Sequence, residues 1–171
     1  MNKQVWIEKA LGLGIQEFEI YQSTTVEKEM TWFQGQMDTL VSSKVTGTSI
    51  RGIVDGKMAN MALEEIDDSM CETVLKSLIE QAHIISNEET DSLRKPEPIE
   101  YAKKDVTWNM ASTEYVKDIL QSLEAKILAY DPRVIQVGYL GYSQGSGSRS
   151  IVNSLGMDVQ DADEMQYIVA S

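Results

Sequence analysis

The chain is short of the residue types that most often staple a fold or carry chemistry. Cys71 is the only cysteine among 171 residues, so an intrachain disulfide is excluded. It lies in what reads as a helix, where a buried structural thiol suited to a reducing, cytoplasmic compartment is expected. His83 is the only histidine, and its helical neighbours Ile79, Glu80 and Asn87 offer one carboxylate at most. A structural role is therefore expected for it, because a metal ligand needs several converging partners. Long apolar runs are missing too. The opening Met1 to Gln22 stretch is interrupted by Glu8 and Gln16, and neither an export signal nor a bilayer span is expected. Basic residues are few: 15 Lys and Arg stand against 27 Asp and Glu, a net charge of -12. The summed field repels a phosphate backbone, which argues against direct nucleic-acid binding.

What is present is enough for a core. A hydrophobic content of 42% over this length fits one substantial domain or two small lobes. Trp6, Ala10 and Leu13, with Ile7 and Leu11 beside them, have helical spacing that stops at Gly12 and Gly14. From Phe18 the period changes to two: Phe18 and Ile20, then Val26, Met30 and Trp32, alternate with polar residues. The steps at Phe33-Gln34-Gly35-Gln36, Thr46-Gly47 and Asp55-Gly56 punctuate this stretch, and Asp55-Gly56 suits a type I′ hairpin turn. An antiparallel meander is expected from about Phe18 to Leu63.

Ser69 with Glu72 three residues later reads as a capping box, and Val74, Leu75, Leu78, Ile79, Ala82 and Ile85 then share a helical face. Asn87 to about Lys104 is polar and contains Pro96 and Pro98, so it is expected to cross the surface. A second helix starts near Ser112 or Thr113, carries Val116, Ile119, Leu120, Leu123, Ile127 and Leu128, and ends at Asp131-Pro132. Val134 to Tyr142, Ser148 to Ser154 and Met157 through Val169 read as a second meander, with a tight turn at Asn153-Ser154-Leu155-Gly156. The fold class expected is α+β: mainly antiparallel sheets, two β-meanders, and a few amphipathic helices packed on one side. The expected organisation is a lobe over 1–90, a linker over 91–111, and the start of a second lobe over 112–171.

The sharpest local motif is Gly141-Tyr142-Ser143-Gln144-Gly145, the G-x-S-x-G pattern of a hydrolase nucleophile elbow. A serine hydrolase using Ser143 is the alternative it raises. That chemistry needs a strand-to-helix turn and a histidine further along, yet His83 lies upstream and Ser146 to Val152 reads as loop and strand. A Gly/Ser-rich hairpin loop is the plainer expectation, and no Gly-Lys-Ser/Thr is present to make a phosphate cradle. Glu64, Glu65, Asp67 and Asp68 precede a helix and are read as capping charge. Asp158, Asp161, Asp163 and Glu164 lack the glycine and distant glutamate of a calcium loop, so a solvated hairpin is expected. Met30, Trp32, Met37, Met58 and Met61 are dense enough to line a peptide-contact surface, although filling the space under a sheet explains them as well.

Three stretches in order resemble the amino-terminal portion of the TldD/PmbA family, also called modulators of DNA gyrase or peptide-maturation proteases. The first holds Gly47, Arg51, Gly52, Asp55 and Gly56, with Gly35 to Asp38 before it. The second is the helix from Ser69 to Ser86, with Asp91-Ser92-Leu93 and its proline-containing link after it. The third, with Asn153, Ser154 and Gly156, is similar to the family's N-S-x-G turn. Together they cover most of the chain.

The resemblance implies the amino-terminal part of a protein about three times longer, whose zinc site, of the His-Glu-x-x-x-His kind with a cysteine, has no match here. No catalytic residue, metal or cofactor is then expected in this chain, and any zinc would belong to the partner subunit or to a carboxy-terminal part. The link after the helix looks closer to the PmbA (TldE) type, the helper of the proteolytic subunit. The implied role is in proteolysis or maturation of unfolded or precursor peptides, guiding substrate and assembling with a TldD-like subunit or with itself. A stand-alone interaction adaptor is a further alternative. The motif glycines and Arg51 are expected to set hairpin geometry rather than to bind anything.

Overall fold

A computed structural model of the chain describes residues 1–64, 66–86, 90–98 and 110–171. In order they form α1 (Lys3–Gly12), β1 (Glu17–Phe33), β2 (Gln36–Val54), β3 (Lys57–Leu63), a 3-10 turn (Asp68–Met70), α2 (Cys71–Ile84), α3 (Thr113–Tyr130), β4 (Leu140–Asn153) and β5 (Asp158–Ala170). The strands make one antiparallel sheet of five in the order β3-β2-β1-β4-β5, so the chain is α+β as expected. The first three strands are the expected meander. The second strand cluster is a single hairpin of two long strands, β4 and β5, with residues 134–139 lying before the strand begins.

Both hairpin turns of the meander place two residues at positive φ: Gln34 and Gly35 at 48° and 78°, Asp55 and Gly56 at 49° and 75°. That is the type I′ geometry whose twist matches paired strands, and it favours glycine at the second position. The Thr46-Gly47 step, in contrast, does not break the chain; both residues lie inside β2. A tolerated glycine in a long strand looks the same as a turn when only local propensity is read.

The chain divides into two compact units: Met1–Thr24, Thr46–Asp105 and Ser148–Asp161 form the first, and Thr25–Val45, Val106–Gly147 and Ala162–Ser171 the second. Strands β1, β2, β4 and β5 each contribute residues to both.

In the first unit, one face of the strands carries Phe18, Ile20, Ile50, Val54 and Ala59 into a core completed by Trp6, Ile7 and Ala10 of α1 and by Cys71, Val74, Leu75, Leu78 and Ala82 of α2. Gly52 lies on that face, and a Cβ there would stand 2.9 Å from Ile15 Cγ2 and 3.0 Å from Leu78 Cδ2. Only glycine lets the sheet approach α2 this closely.

The helix starts differ from the expected capping box. Asp67, not Ser69, is the cap: its carboxylate accepts from the Ser69 amide at 2.7 Å and from the Ser69 hydroxyl, opening the 3-10 turn, while Met70 precedes α2 without any side-chain cap. With the Ser69 hydroxyl engaged by its neighbour, the reciprocal bonding of the box is not made. Asp68 ties the two helices of this unit, accepting from the Asn2 amide and from Trp6 Nε1, each at 2.9 Å.

The opposite face of the same strands is covered by residues 90–98. Leu93 is buried there and its amide donates to Glu17 Oε2, while Asp91 donates its amide to the Gly56 carbonyl at 2.9 Å and accepts from the Met58 amide at 3.0 Å. Of the polar link expected to cross the surface, this portion is therefore anchored through one apolar residue and backbone bonds; 87–89 and 99–104 lie outside the described residues.

The second unit has a smaller core: Met30 and Trp32 of β1, Leu140 and Tyr142 of β4, Val137, and Val116 and Leu120 of α3. The Ser112 side chain caps α3 as expected, accepting from the Tyr115 amide at 3.1 Å. Glu124 interrupts the apolar face of α3 and is itself buried. Its Oε2 accepts from Trp32 Nε1 at 2.7 Å and from the Gly35 amide at 3.0 Å, holding the helix to the β1–β2 turn.

Candidate functional site

The residues Glu19, Arg51, Asn153 and Ser154 come together in the first unit. Glu19 is 3% exposed and lies on the sheet face opposite the helices. Burying a carboxylate costs several kcal/mol unless it is paired, on the order of magnitude of whole-domain stability. The pairing is supplied from both neighbouring strands: Arg51 of β2 at 2.7 Å to Oε1, and Asn153 Nδ2 of β4 at 3.2 Å to Oε2.

Asn153 is fully used. Its Nδ2 also donates to the Arg94 carbonyl at 2.9 Å, and its Oδ1 accepts from the Leu155 and Met157 amides, both at 3.0 Å. Ser154 closes the arrangement on β1, with its amide donating to the Phe18 carbonyl at 2.8 Å and its hydroxyl accepting from the Phe18 amide at 2.9 Å. Gly156, at φ 93°, completes the turn. The N-S-x-G turn is thus a polar clasp joining β4, β1, β2 and the 90–98 segment, and every buried side-chain polar atom among the described residues has a partner. Such a network fixes strand register.

Ser143 does not sit at an elbow. Gly141 to Gly145 lie within β4, which continues to Asn153 and turns into β5 rather than into a helix. The expected Gly/Ser-rich loop is strand as well. Gly141 is needed because the ring of Tyr139 lies over its Cα, a packing reason that composition alone reads as loop. Alternate residues of this stretch are used inside the second unit: Gln144 Oε1 accepts from the Ala111 amide at 3.0 Å and from the Tyr142 hydroxyl at 2.7 Å.

His83 is 57% exposed on α2, with Nε2 3.7 Å from Asp55 Oδ2, so it is a surface side chain beside a hairpin turn. Cys71 is buried at the first residue of α2, and burial raises its thiol pKa, which disfavours the thiolate. Asp158, Asp161, Asp163 and Glu164 are spread along β5. Among the described residues no three His, Cys, Asp or Glu side chains converge as a metal site, and these residues do not fit a zinc ion.

The methionine and tryptophan cluster is dispersed. Met30 and Trp32 are core residues of the second unit, and Met37 of that unit is 43% exposed. Met58 and Met61 belong to the first unit and point to opposite faces of β3, Met61 packing toward the core and Met58 pairing with Ile53 on the other face.

One feature is not visible in local sequence. The pairing of β3 with β2 runs only from Val54↔Lys57 to Thr48↔Leu63, so from Gln36 to Gly47 β2 has no sheet neighbour on that side among the described residues. Along this edge Met37, Leu40, Val41 and Val45 are 43%, 43%, 54% and 63% exposed. A free strand edge bearing apolar side chains is a template for pairing with another chain. The signal for it is strand length: β2 has 19 residues and β3 seven.

Two family models match the chain, PmbA/TldA metallopeptidase domain 1 over residues 18–86 and the PmbA/TldA metallopeptidase central domain over residues 107–171. The chain belongs to the PmbA/TldD family. Similar solved structures include one described as a modulator of DNA gyrase from Thermotoga maritima, with 18% identity and a TM-score of 0.81 over 98% of this chain and 38% of that one. TldE from Thermococcus kodakarensis gives 19% and 0.76, over 97% of this chain and 38% of that one. A protein described as a modulator of DNA gyrase from Bacteroides thetaiotaomicron gives 18% and 0.71, over 98% and 39%. No curated protein matches. This PmbA/TldD chain spans less than two-fifths of the length of these structures, and at such identity the likeness speaks for the fold.

Proposed function

We propose that this chain is the non-catalytic amino-terminal part of a cytoplasmic TldD/PmbA-type peptidase complex, of the PmbA (TldE) kind, and that it guides unfolded or precursor peptides and joins subunits. The observation that carries this reading is the apolar edge of β2 over residues 36–47, which has no sheet neighbour on that side among the described residues. Main-chain donors and acceptors along such an edge take an extended segment by strand addition, with affinity that depends little on sequence. An unfolded peptide and a strand from a TldD-like subunit, or from a second copy, are chemically the same ligand for that edge.

The polar clasp and the hairpin glycines support the role by holding the strands in register, which the motif residues Gly47, Arg51, Gly52, Asp55, Gly56, Asn153, Ser154 and Gly156 do without contacting peptide. The net charge of -12 favours neither nucleic acid nor an anionic membrane surface as partner.

Binding of a fluorescently labelled unfolded peptide tests the proposal, with the native chain compared against Leu40→Glu and Val41→Lys. Both positions are exposed, so folding is retained, and a charge on the edge weakens the added strand by at least about tenfold. Equal binding by all three proteins overturns the reading. A fluorophosphonate probe separates the hydrolase alternative: Ser143 stays unlabelled, and stoichiometric labelling lost in Ser143→Ala contradicts the assignment.

A further inference from the structure

Strand β5 is the last of the sheet on its side, with β4 as its one neighbour. Ser171 and Tyr139 exchange main-chain bonds at 2.9 and 3.0 Å at one end of this pair, and the Asn153 amide donates to the Met157 carbonyl at the other, so a single register runs between them. Odd-numbered residues of β5 therefore direct their main-chain groups to β4. Glu164, Gln166, Ile168 and Ala170 direct theirs outward, where no strand stands among the described residues. The edge changes character along its length: Asp158, Asp161, Asp163 and Glu164 come first, and Met165 to Ala170 follow without a charge. Met165, Tyr167, Ile168 and Val169 of this second half are exposed.

Within the same unit α3 borders an open groove of about 570 Å³, where Ile168 of β5 lies with Tyr115, Ile119 and Leu123. The charges on the groove are Asp118 and Lys126, about 12 Å apart along the helix axis, with small Ser122 midway between them. Neither has an ion-pair partner among the described residues. This surface is complementary to itself under a two-fold rotation centred at Ser122 on the helix and at Tyr167 on the strand. Asp118 then meets Lys126 of the second copy, and Lys126 its Asp118, while Ile119 and Tyr115 come opposite Ala125 and Ala129, large against small. Along β5, Gln166 pairs with Ile168 of the copy and the outward main-chain groups of both are satisfied. Charge selects this centre. Moved toward the start of β5, it sets Asp163 or Glu164 against its own copy, and like charges directly opposite destabilise a strand pair; at Tyr167 they fall opposite Ser171 and Ala170. We propose that the β5 edge and the α3 groove form a two-fold interface with a second copy of this chain, joining two five-stranded sheets into one. The interface is independent of the peptide-edge reading, since β5 and the 36–47 stretch of β2 lie at opposite edges of the sheet.

Sedimentation equilibrium of the 171-residue chain tests this in about 0.15 M salt, where the repulsion between two chains of net charge -12 is screened beyond about 8 Å. The expected result is a mass that rises with concentration to twice that of one chain and no further. Asp118→Lys and Lys126→Asp, both on the exposed side of α3, each set like charges together at two places and weaken association by about tenfold or more. The double substitution restores it. Ile168→Lys puts a charge at the centre of the strand pair and weakens association as far, while Val41→Lys, on the opposite edge, leaves it as it was. A chain that stays monomeric up to about 1 mM, a double variant no better than the singles, or dissociation by Val41→Lys alone overturns the proposal.

Discussion

The two units solve the same problem with different means. The first buries its sheet on both faces, α1 and α2 over one and the 90–98 segment over the other, and adds a saturated polar clasp at Glu19, Arg51 and Asn153. The second relies on one helix, α3, and leaves Met37, Leu40, Val41, Val45, Met165, Tyr167, Ile168 and Val169 between 40% and 64% exposed. The contrast teaches where each resource goes: a saturated polar network fixes the scaffold of the first unit, and apolar strand surface stays exposed in the second.

That division is broken or sharpened first by truncating the cores. Leu120→Ala in the second unit removes a wholly buried side chain facing Met30 and Trp32, and about 2–5 kcal/mol of stability is expected to go with it in urea unfolding. Asn153→Ala in the first unit strands the Leu155 and Met157 amides and takes a donor from buried Glu19, for about 3 kcal/mol. If native-state hydrogen exchange shows each loss only in the unit that carries the substitution, the units are separate cooperative bodies; equal loss in both makes them one.

Smaller effects test the details. Gly52→Ala should cost about 1–3 kcal/mol by pressing on Ile15 and Leu78, while Gly47→Ala, whose Cβ would meet only Ser23 Oγ at 3.7 Å, should be near neutral by the same measurement. Smallest is a pH effect in the first unit. Bonds from the Asn2 amide and then from Trp6 Nε1 lower the Asp68 pKa below its ordinary 3.8. A depressed carboxylate contributes stability that is present above the unfolded value and fades as pH falls through the folded one, so the loss begins below about pH 4. Asp68→Asn should flatten that part of the acid unfolding curve; an unchanged curve would assign the acid sensitivity elsewhere.

Much of the fold is legible in the residues. The period-two alternation, the Asp55-Gly56 turn and the Ser112 cap each have one local physical cause and appear where expected. The capping box does not form because Asp67 competes for the same hydroxyl and amide, a contest that spacing alone does not decide. Thr46-Gly47 and Gly141 to Gly147 read as breaks because glycine and serine mark turns, yet strands also tolerate them, at Gly47 with room beside it and at Gly141 under the Tyr139 ring. Of the functional surface, the motif residues are visible in sequence but their bonding is not, since Glu19 and Asn153 meet across 134 positions. The free edge of β2 is invisible there because it depends on how far β3 extends, a property of the pair rather than of either strand.

Hydrogen exchange along β2, with and without a bound unfolded peptide, tests the account most directly. The expected result is new protection of amides between Met37 and Val45, with Thr48 to Val54, already paired to β3, unchanged. Protection that appears only outside 36–47, with the edge exchanging as fast as before, would contradict it.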